Sequence, residues 1–408
     1  MPRARVEVPA RLLLALCLGL VVVAIPSSAW ALPSENPDDT WHVNGPARAI
    51  ARYGNTIFIG GDFTRLRQRP MGVEDPNARR VGNLAALDAD TGAPARGIDV
   101  PRFTGPGSII YALTVADGKL WIGGRFTAAD GRARHNLASI DADTGALTRL
   151  SPTANGAVMA LADDGSKVYA GGMFTTVNEE PRRRLAAFSV ATGNLRPWAP
   201  SANGRVRDMS VTPDRKGLFI TGVFSTLRDP DGSPHARNAI ARLATTGGSI
   251  HQWQPGGGPY SDKIIGMGVN TYAGSPGRVY WAVGGSDWAA AFNISTGSRI
   301  FKTDTDGTVG DVVEMGDRVI IGGHFVLVAP RPSTSSCARD PATCERHVRL
   351  AALRRDGVLD QSWDPKLQGN GVEWEGAKRF LVQKSRLWIV GEFLEITDVD
   401  QNYFGRLS

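Results

Sequence analysis

One phrase recurs along this chain and limits what it can fold into: an apolar strand, two glycines, one variable residue, then an aromatic. It stands as Ile57-Phe58-Ile59-Gly60-Gly61-Asp62-Phe63-Thr64, and returns from Leu120 to Thr127 and from Val168 to Thr175. Looser copies run from Leu218 to Ser225, with Thr221-Gly222 as the pair, and from Val279 to Trp288, with Gly284-Gly285. Two more run from Val319 to Phe325, with Gly322-Gly323, and from Leu387 to Phe393, with Val390-Gly391. That makes seven copies. Self-similarity on this scale marks a supersecondary unit that cannot bury its apolar faces alone and must stack on its neighbours.

The context of each copy fills out the unit. An apolar strand precedes it, as in Ile109 to Val115, across a polar turn such as Asp117-Gly118. A variable loop follows, then a small-residue strand such as Leu84-Ala85-Ala86-Leu87 or Leu185-Ala186-Ala187-Phe188. A second tight turn, such as Asp141-Ala142-Asp143-Thr144-Gly145, leads to a segment ending near Trp198-Ala199-Pro200, Trp253-Gln254-Pro255 or Trp363-Asp364-Pro365. We call the four strands a to d. Short β-branched runs bounded by Gly, Asn and Asp, among 48 glycines and 25 prolines, fit many short strands and no long helix. The fold expected is all-β: a seven-bladed β-propeller of four-stranded antiparallel blades. The last copy stops at Tyr403 to Ser408, a strand c without its d. The segment Asp38-Asp39-Thr40-Trp41-His42-Val43-Asn44-Gly45 reads as a d strand without its own blade. The expected ring is therefore closed by the mature N-terminal strand pairing into the last blade, which removes an open sheet edge. One domain, residues 32–408, is expected.

Residues 1–31 read as a secretory signal peptide. Arg3, Arg5 and Arg11 precede the apolar run from Leu12 to Ile25, and Ala29-Trp30-Ala31 offers the cleavage site. The mature chain is expected to be extracellular, with no membrane span, and monomeric. Losing three arginines and one glutamate lowers the net charge from +6 to +4. The basic residues are scattered, which argues against nucleic acid as a partner. Two cysteines then remain, Cys337 and Cys344, and in an oxidising compartment they read as one disulfide pinning a loop.

The phrase Gly-Gly-x-Phe-Thr, then a loop, then Leu-Ala-x-x-Asp-x-x-Thr-Gly, then Trp-x-Pro resembles the delta-60 repeats of secreted bacterial proteins. It is more distantly similar to the repeats of fungal cortical cell-polarity markers and of kelch propellers. The resemblance covers essentially the whole mature chain. It implies the propeller fold and no assigned activity.

The search for chemistry yields no catalytic residue, metal site or cofactor. The residues after the second glycine are Asp62, Arg125, Met173, Val223, Ser286, His324 and Glu392, with no repeated ligand among them. Asp88, Asp90 and Gly92, and likewise Asp141, Asp143 and Gly145, hint at calcium loops. They lack the EF-hand frame and read better as turns. Six mature histidines show no metal spacing. Asp62, Asp311, Glu314 and Glu392 lie near strands a or b, but nothing in the sequence pairs them. The connections from d to a carry Asn44-Gly45, Asn155-Gly156, Asn203-Gly204, Asp306-Gly307 and Asn370-Gly371. These are strong turn formers. The sharper expectation is a polar ring of Asn44, Asn155, Asn203, Asp306 and Asn370 at a channel mouth.

Two functions are weighed. One is a non-catalytic recognition scaffold that binds a protein or a cell-wall glycan through the face carrying the b–c and d–a loops. The long loops at 65–80, 228–237 and 326–347 gather on that face. The other is an extracellular polysaccharide hydrolase or lyase with its site in the central channel. The first is favoured, because the second needs convergent carboxylates or a metal.

Overall fold

A computed structural model describes residues 31–256, 265–272, 277–332, 336–369, 371 and 375–408. Residues 1–30, where a signal peptide is expected, and Asn370 lie outside the described residues.

Each apolar run before a glycine pair becomes a strand b, with a and c on either side in order c-b-a. The first such sheet is Ala47–Tyr53, Thr56–Gly61 and Leu84–Asp88. The second is Ile109–Ala116, Lys119–Arg125 and Leu137–Asp141. The third is Val158–Asp163, Lys167–Gly172 and Leu185–Ser189. The fourth is Arg205–Val211, Gly217–Val223 and Ile240–Ala244. The fifth has four strands, Ile265–Tyr272, Arg278–Gly284, Trp288–Asn293 and Arg299–Asp304. The sixth is Val309–Met315, Arg318–Gly323 and Leu350–Arg354, and the seventh Gly376–Gln383, Arg386–Glu392 and Phe404–Leu407. The one helical element among the described residues is the short turn Pro341–Thr343, between Cys337 and Cys344, whose sulfurs are bonded. No described helix is long and apolar enough to cross a membrane.

The glycine pair has a physical cause. Strand a of each of these sheets carries one extra residue opposite the pair, between Ala47 and Ala49 in the first sheet and between Val206 and Asp208 in the fourth. That residue is a β-bulge, and it bends strand a toward strand b. A Cβ on the second glycine would lie 2.1 Å from the Pro46 carbonyl oxygen at Gly61, 2.1 Å from that of Ala157 at Gly172, and 2.2 Å from that of Thr308 at Gly323. The first glycine makes room for the next sheet instead. A Cβ on Gly60 would meet Ile110 at 2.4 Å, and one on Gly171 would meet Val206 at 2.7 Å.

The fifth sheet corrects the sequence alignment. Its bulge lies between Gly266 and Gly268, opposite Val283 and Ala282. Gly284-Gly285 therefore does not fill the repeat position. It begins the tight turn that carries strand b into c, where Val283 already pairs with Trp288. Positive φ angles at Gly285 (77°) and Asp287 (52°) make that turn.

Strand d also differs from expectation. Outside the fifth sheet it is reduced to single bridges, such as Ile140 to Leu147, Phe188 to Leu195 and Leu243 to Ile250. Beyond the bridge the segment leaves its own sheet and docks on the next, where burial of its Trp gains more than further ladder bonds would. The Trp198 indole donates to the Ala244 carbonyl at 2.9 Å, and Trp253 to that of Asn293 at 3.2 Å. The glycine ending each Thr-Gly or Gly-Gly turn admits this visitor. A Cβ on Gly145 would sit 2.5 Å from the Asp99 carbonyl oxygen, and one on Gly248 2.8 Å from Pro200.

The a strands pack in sequence order, first beside second through to sixth beside seventh, and the seventh also packs against the first. The core follows this order. One cluster joins Phe58 and Leu84 to Ile110 and Ile122, and another joins Trp121 and Phe188 across the second and third sheets. A further one joins Trp388, Val390 and Phe404 of the seventh sheet to Ile57, Ile59 and Leu87 of the first. The N-terminal segment meets the C-terminus. Pro37 bridges Leu407, the Asp38 amide donates to the Arg406 carbonyl at 2.8 Å, and the Asp38 carboxylate pairs with the Arg406 guanidinium. Trp41 goes further on, its amide donating to the Gly92 carbonyl of the first sheet at 3.1 Å. The pairing register thus lies a few residues ahead of Trp41.

Candidate functional site

The loops between b and c, read as variable loops, carry small hairpins of their own. Arg65–Arg67 pairs with Arg79–Arg80 and with His42–Val43, which lies just before strand a of the same sheet. Ala128–Ala129 does the same with Arg132–Ala133 and Phe103–Thr104, and Thr226–Arg228 with Pro234–Ala236 and Ser201–Ala202. The d–a and b–c connections thus share one end of each sheet, as antiparallel order requires.

The predicted Asn residues clamp these small sheets together. The Asn44 side-chain oxygen accepts from the amides of Thr64 (2.9 Å) and Arg65 (2.8 Å). Asn155 does so from Thr175 and Thr176, Asn203 from Ser225 and Thr226, and Asp306 from Val326 and Leu327. Asn44, Asn155 and Asn203 also donate to the hydroxyl that follows each aromatic. Their polar atoms are engaged in scaffold, and none of these four residues lines the cavity described next. Asn370 stands eight residues before Lys378 in the sequence rather than four, and it lies outside the described residues.

The site that the geometry assembles lies one turn further in, on the bulges. The extra residues of the strands a are Arg48, Tyr111, Met159, Arg207, Met267, Gly310 and Lys378. All seven line a single cavity of about 670 Å³. A bulge redirects its side chain, and here it aims each one at a common space. Glu392, Arg379, Asp287 and Thr308 complete the wall, with Gly284 and Gly285 at the tight turn of the fifth sheet. That turn, at 285–287, carries no hairpin of its own.

Below the bulges lies an ionic floor. Arg379 donates to Asp208 at 2.8 Å and lies 3.8 Å from Asp311. The remaining carboxylate oxygens accept backbone amides, Asp208 from Val269 (2.8 Å) and Asp311 from Phe380 (2.9 Å), and Asn270 donates to Asp311 at 3.1 Å. Burial pushes both carboxyls up, that of Asp311 to about 6 against the pull of Arg379. At the wall, Arg48 pairs with Glu392 at 3.0 Å, and Lys378 approaches the same oxygen at 4.0 Å. Arg207 pairs with no carboxylate among the described residues. One of its guanidinium nitrogens lies 3.5 Å from the Met267 sulfur, and its Nε is buried without a partner. Burial and nearby Arg205 lower its pKa to about 10.

Two of the acidic candidates, Asp311 and Glu392, therefore belong to this region, each neutralised by a cation. Glu314 lies elsewhere, held by Arg355 at 2.7 Å and by the Tyr280 hydroxyl. The Asp88 and Asp141 carboxylates close their own turns, accepting from the amides of Thr91 (2.8 Å) and Thr144 (2.9 Å). The bulge residues were missed because they share no residue type. A positional signal exists: each of Arg48, Met159, Arg207 and Gly310 stands four residues after Asn44, Asn155, Asn203 or Asp306.

The chain matches no protein-family model, and no curated protein matches it. Among solved structures it is similar to the computationally designed Ika8 protein, with 12% sequence identity, a TM-score of 0.48, and coverage of 90% of this chain and 92% of that one.

Proposed function

We propose that this protein is a secreted recognition scaffold: a seven-bladed propeller, closed by its N-terminal segment, that binds a protein or cell-wall glycan on the face bearing the b–c and d–a connections. The observation that carries this reading is the second tier of small sheets at that end. They turn connecting loops into a rigid, hairpin-studded surface, and surface elements fixed on a rigid frame are where recognition resides. The packing of the seventh strand a against the first, and the bridge from Pro37 to Leu407, support the closed ring. The repeat phrases support kinship with the delta-60 repeats, and the basic-apolar-Ala-x-Ala leader supports secretion.

Recognition is favoured over hydrolysis because, of the carboxylates at the cavity, Asp287 alone has no cationic partner among the described residues. Asp208 and Asp311 face Arg379, and Glu392 faces Arg48 and Lys378. A glycosidase needs one carboxylic acid and one carboxylate flanking open space. The test is pull-down of the mature chain by insoluble cell-wall and plant polysaccharides and by cell-surface protein extracts, run beside a reducing-sugar assay. Retention without sugar release is expected. Sugar release that disappears in Glu392→Gln would replace this reading with the hydrolase.

A further inference from the structure

We propose that the bulge-lined cavity binds a small ring-bearing oxyanion, a carboxylate or a phosphate. Arg207, Lys378 and Arg48 would hold the charged group, and Tyr111, Met159 and Met267 would take the ring. This site does not depend on the loop face or on any macromolecular partner.

Three observations converge. The first is charge. Arg379 is consumed by Asp208 and Asp311, and one carboxylate, Glu392, is shared between Arg48 and Lys378. Asp287 is the other acid on the wall. Burial pushes its carboxyl up, toward the neutral form, and it accepts from the Thr308 hydroxyl at 3.3 Å. The cavity is lined by four cations, Arg48, Arg207, Lys378 and Arg379, against two acids, Glu392 and Asp287, and among the described residues Arg207 pairs with no carboxylate.

The second is unmet hydrogen bonding. The Nε atoms of Arg48 and of Arg207 are buried with no acceptor among the described residues. Buried donors that stay unpaired cost free energy, and a guanidinium fork is shaped for the two oxygens of a carboxylate or phosphate. Burial already depresses the Lys378 ammonium, with repulsion from Arg48 and Arg207, and the Arg207 guanidinium, with repulsion from Arg205. An anion would relieve both.

The third is the mixed lining of the wall, where Arg207 stands between Met159 and Met267 in ring order and lies 3.5 Å from the Met267 sulfur. In ring order the bulge residues are Arg, Tyr, Met, Arg, Met, Gly and Lys. Lys378 and Arg48 are neighbours on the seventh and first sheets. Tyr111 and Met159 follow on the second and third. An aromatic face and two polarisable thioethers suit a flat ring. Gly310 contributes no side chain, and about 670 Å³ is the volume of a small-molecule site rather than of a polymer groove.

The test is calorimetric titration of the mature protein with phenyl phosphate, benzoate, inorganic phosphate and uncharged benzyl alcohol. Phenyl phosphate or benzoate is expected to bind, and the stronger of the two identifies the anionic group. Inorganic phosphate is expected to bind more weakly than phenyl phosphate, and benzyl alcohol not at all. Arg207→Met, with its thermal midpoint checked, should weaken binding about tenfold or more, as loss of a charged hydrogen bond does. Lys378→Met should weaken it too, which keeps the test open if Arg207→Met folds poorly. Silence from both aromatic anions would overturn the proposal. So would benzyl alcohol binding as tightly as they do, or unchanged affinity in the folded variants. Because the ligands are small molecules, either result leaves the loop-face reading to its own test.

Discussion

Arg379 is the keystone of the ionic floor, and its removal gives a pH signature that follows from the structure. Arg379→Met keeps the side chain's length and removes its charge. Asp208 and Asp311 then keep only their backbone amides and Asn270. Breaking a buried ion pair by deleting one partner costs about 3–5 kcal/mol when the remaining charge stays buried. The three side chains are 22%, 14% and 2% exposed for Arg379, Asp208 and Asp311, so the lower half of that range applies. For a domain this size that is a fall in Tm of roughly 4–5 °C at about pH 8.

The sign with pH is fixed by the direction of the carboxyl shifts. Folded Asp311 titrates near 6, above its ordinary 3.8. A raised carboxyl binds its proton more tightly in the folded state. Its contribution to stability is therefore full below about pH 4 and is lost as pH rises through about 6. Without Arg379 the folded values of Asp208 and Asp311 rise further, so the loss grows and extends to higher pH. At about pH 5 the Asp311 carboxyl of the variant is largely protonated, less buried charge is stranded, and the deficit shrinks. Thermal unfolding of the two proteins at about pH 5, 6.5 and 8 and equal ionic strength measures the gap. A gap as wide at pH 5 as at pH 8 would refute the assignment of these carboxylates to Arg379.

Other consequences are simpler to read. Trp198→Phe removes the indole bond to Ala244 and part of a buried ring, and should lower stability by about 1–3 kcal/mol in urea unfolding. Gly172→Ala places a methyl 2.1 Å from the Ala157 carbonyl oxygen, so it should abolish or sharply lower the yield of folded protein. Gly232→Ala, in open space but at φ 92°, should cost only about 1 kcal/mol, measured the same way. Asn155→Ala strips acceptors from two amides and should lower stability by about 1 kcal/mol while leaving any small-anion binding in the cavity unchanged by calorimetry.

The sheets were legible because their causes are local. Alternating apolar runs, paired glycines and Asp-x-x-Thr-Gly turns each leave a fixed residue type in the sequence. What stayed hidden was set by position. The residue entering strand c has a positive φ at Asn83, Asn136, Arg184, Ala239, Arg349 and Tyr403. Four different residue types occupy that strained position, each tied into the glycine-aromatic loop by two backbone bonds, as when the Asn83 amide donates to Phe63 and its carbonyl accepts from Gly61. Tertiary context overrides propensity there. The cavity was hidden for the same reason. A bulge fixes where a side chain points and leaves its chemistry free, so Arg48, Tyr111 and Met159 share geometry without sharing identity. The fifth sheet misled because Gly284-Gly285 satisfied the phrase, while the register placed Ala282-Val283 opposite the bulge. The shortened d strands were unreadable because their Trp residues answer to the next sheet, not to their own.

The joining of the two chain ends can be tested covalently. Pro37 and Leu407 are bridge partners flanked by the bond from the Asp38 amide to the Arg406 carbonyl. This makes them a non-hydrogen-bonded antiparallel pair, with Cα atoms about 4.5 Å apart, within disulfide range. A mature chain carrying Pro37→Cys and Leu407→Cys, folded under mild oxidation and digested without reduction, should yield one peptide pair linked through 37 and 407 within a single chain. Free thiols at both positions in the folded protein, or links found only between chains, would contradict the closed ring.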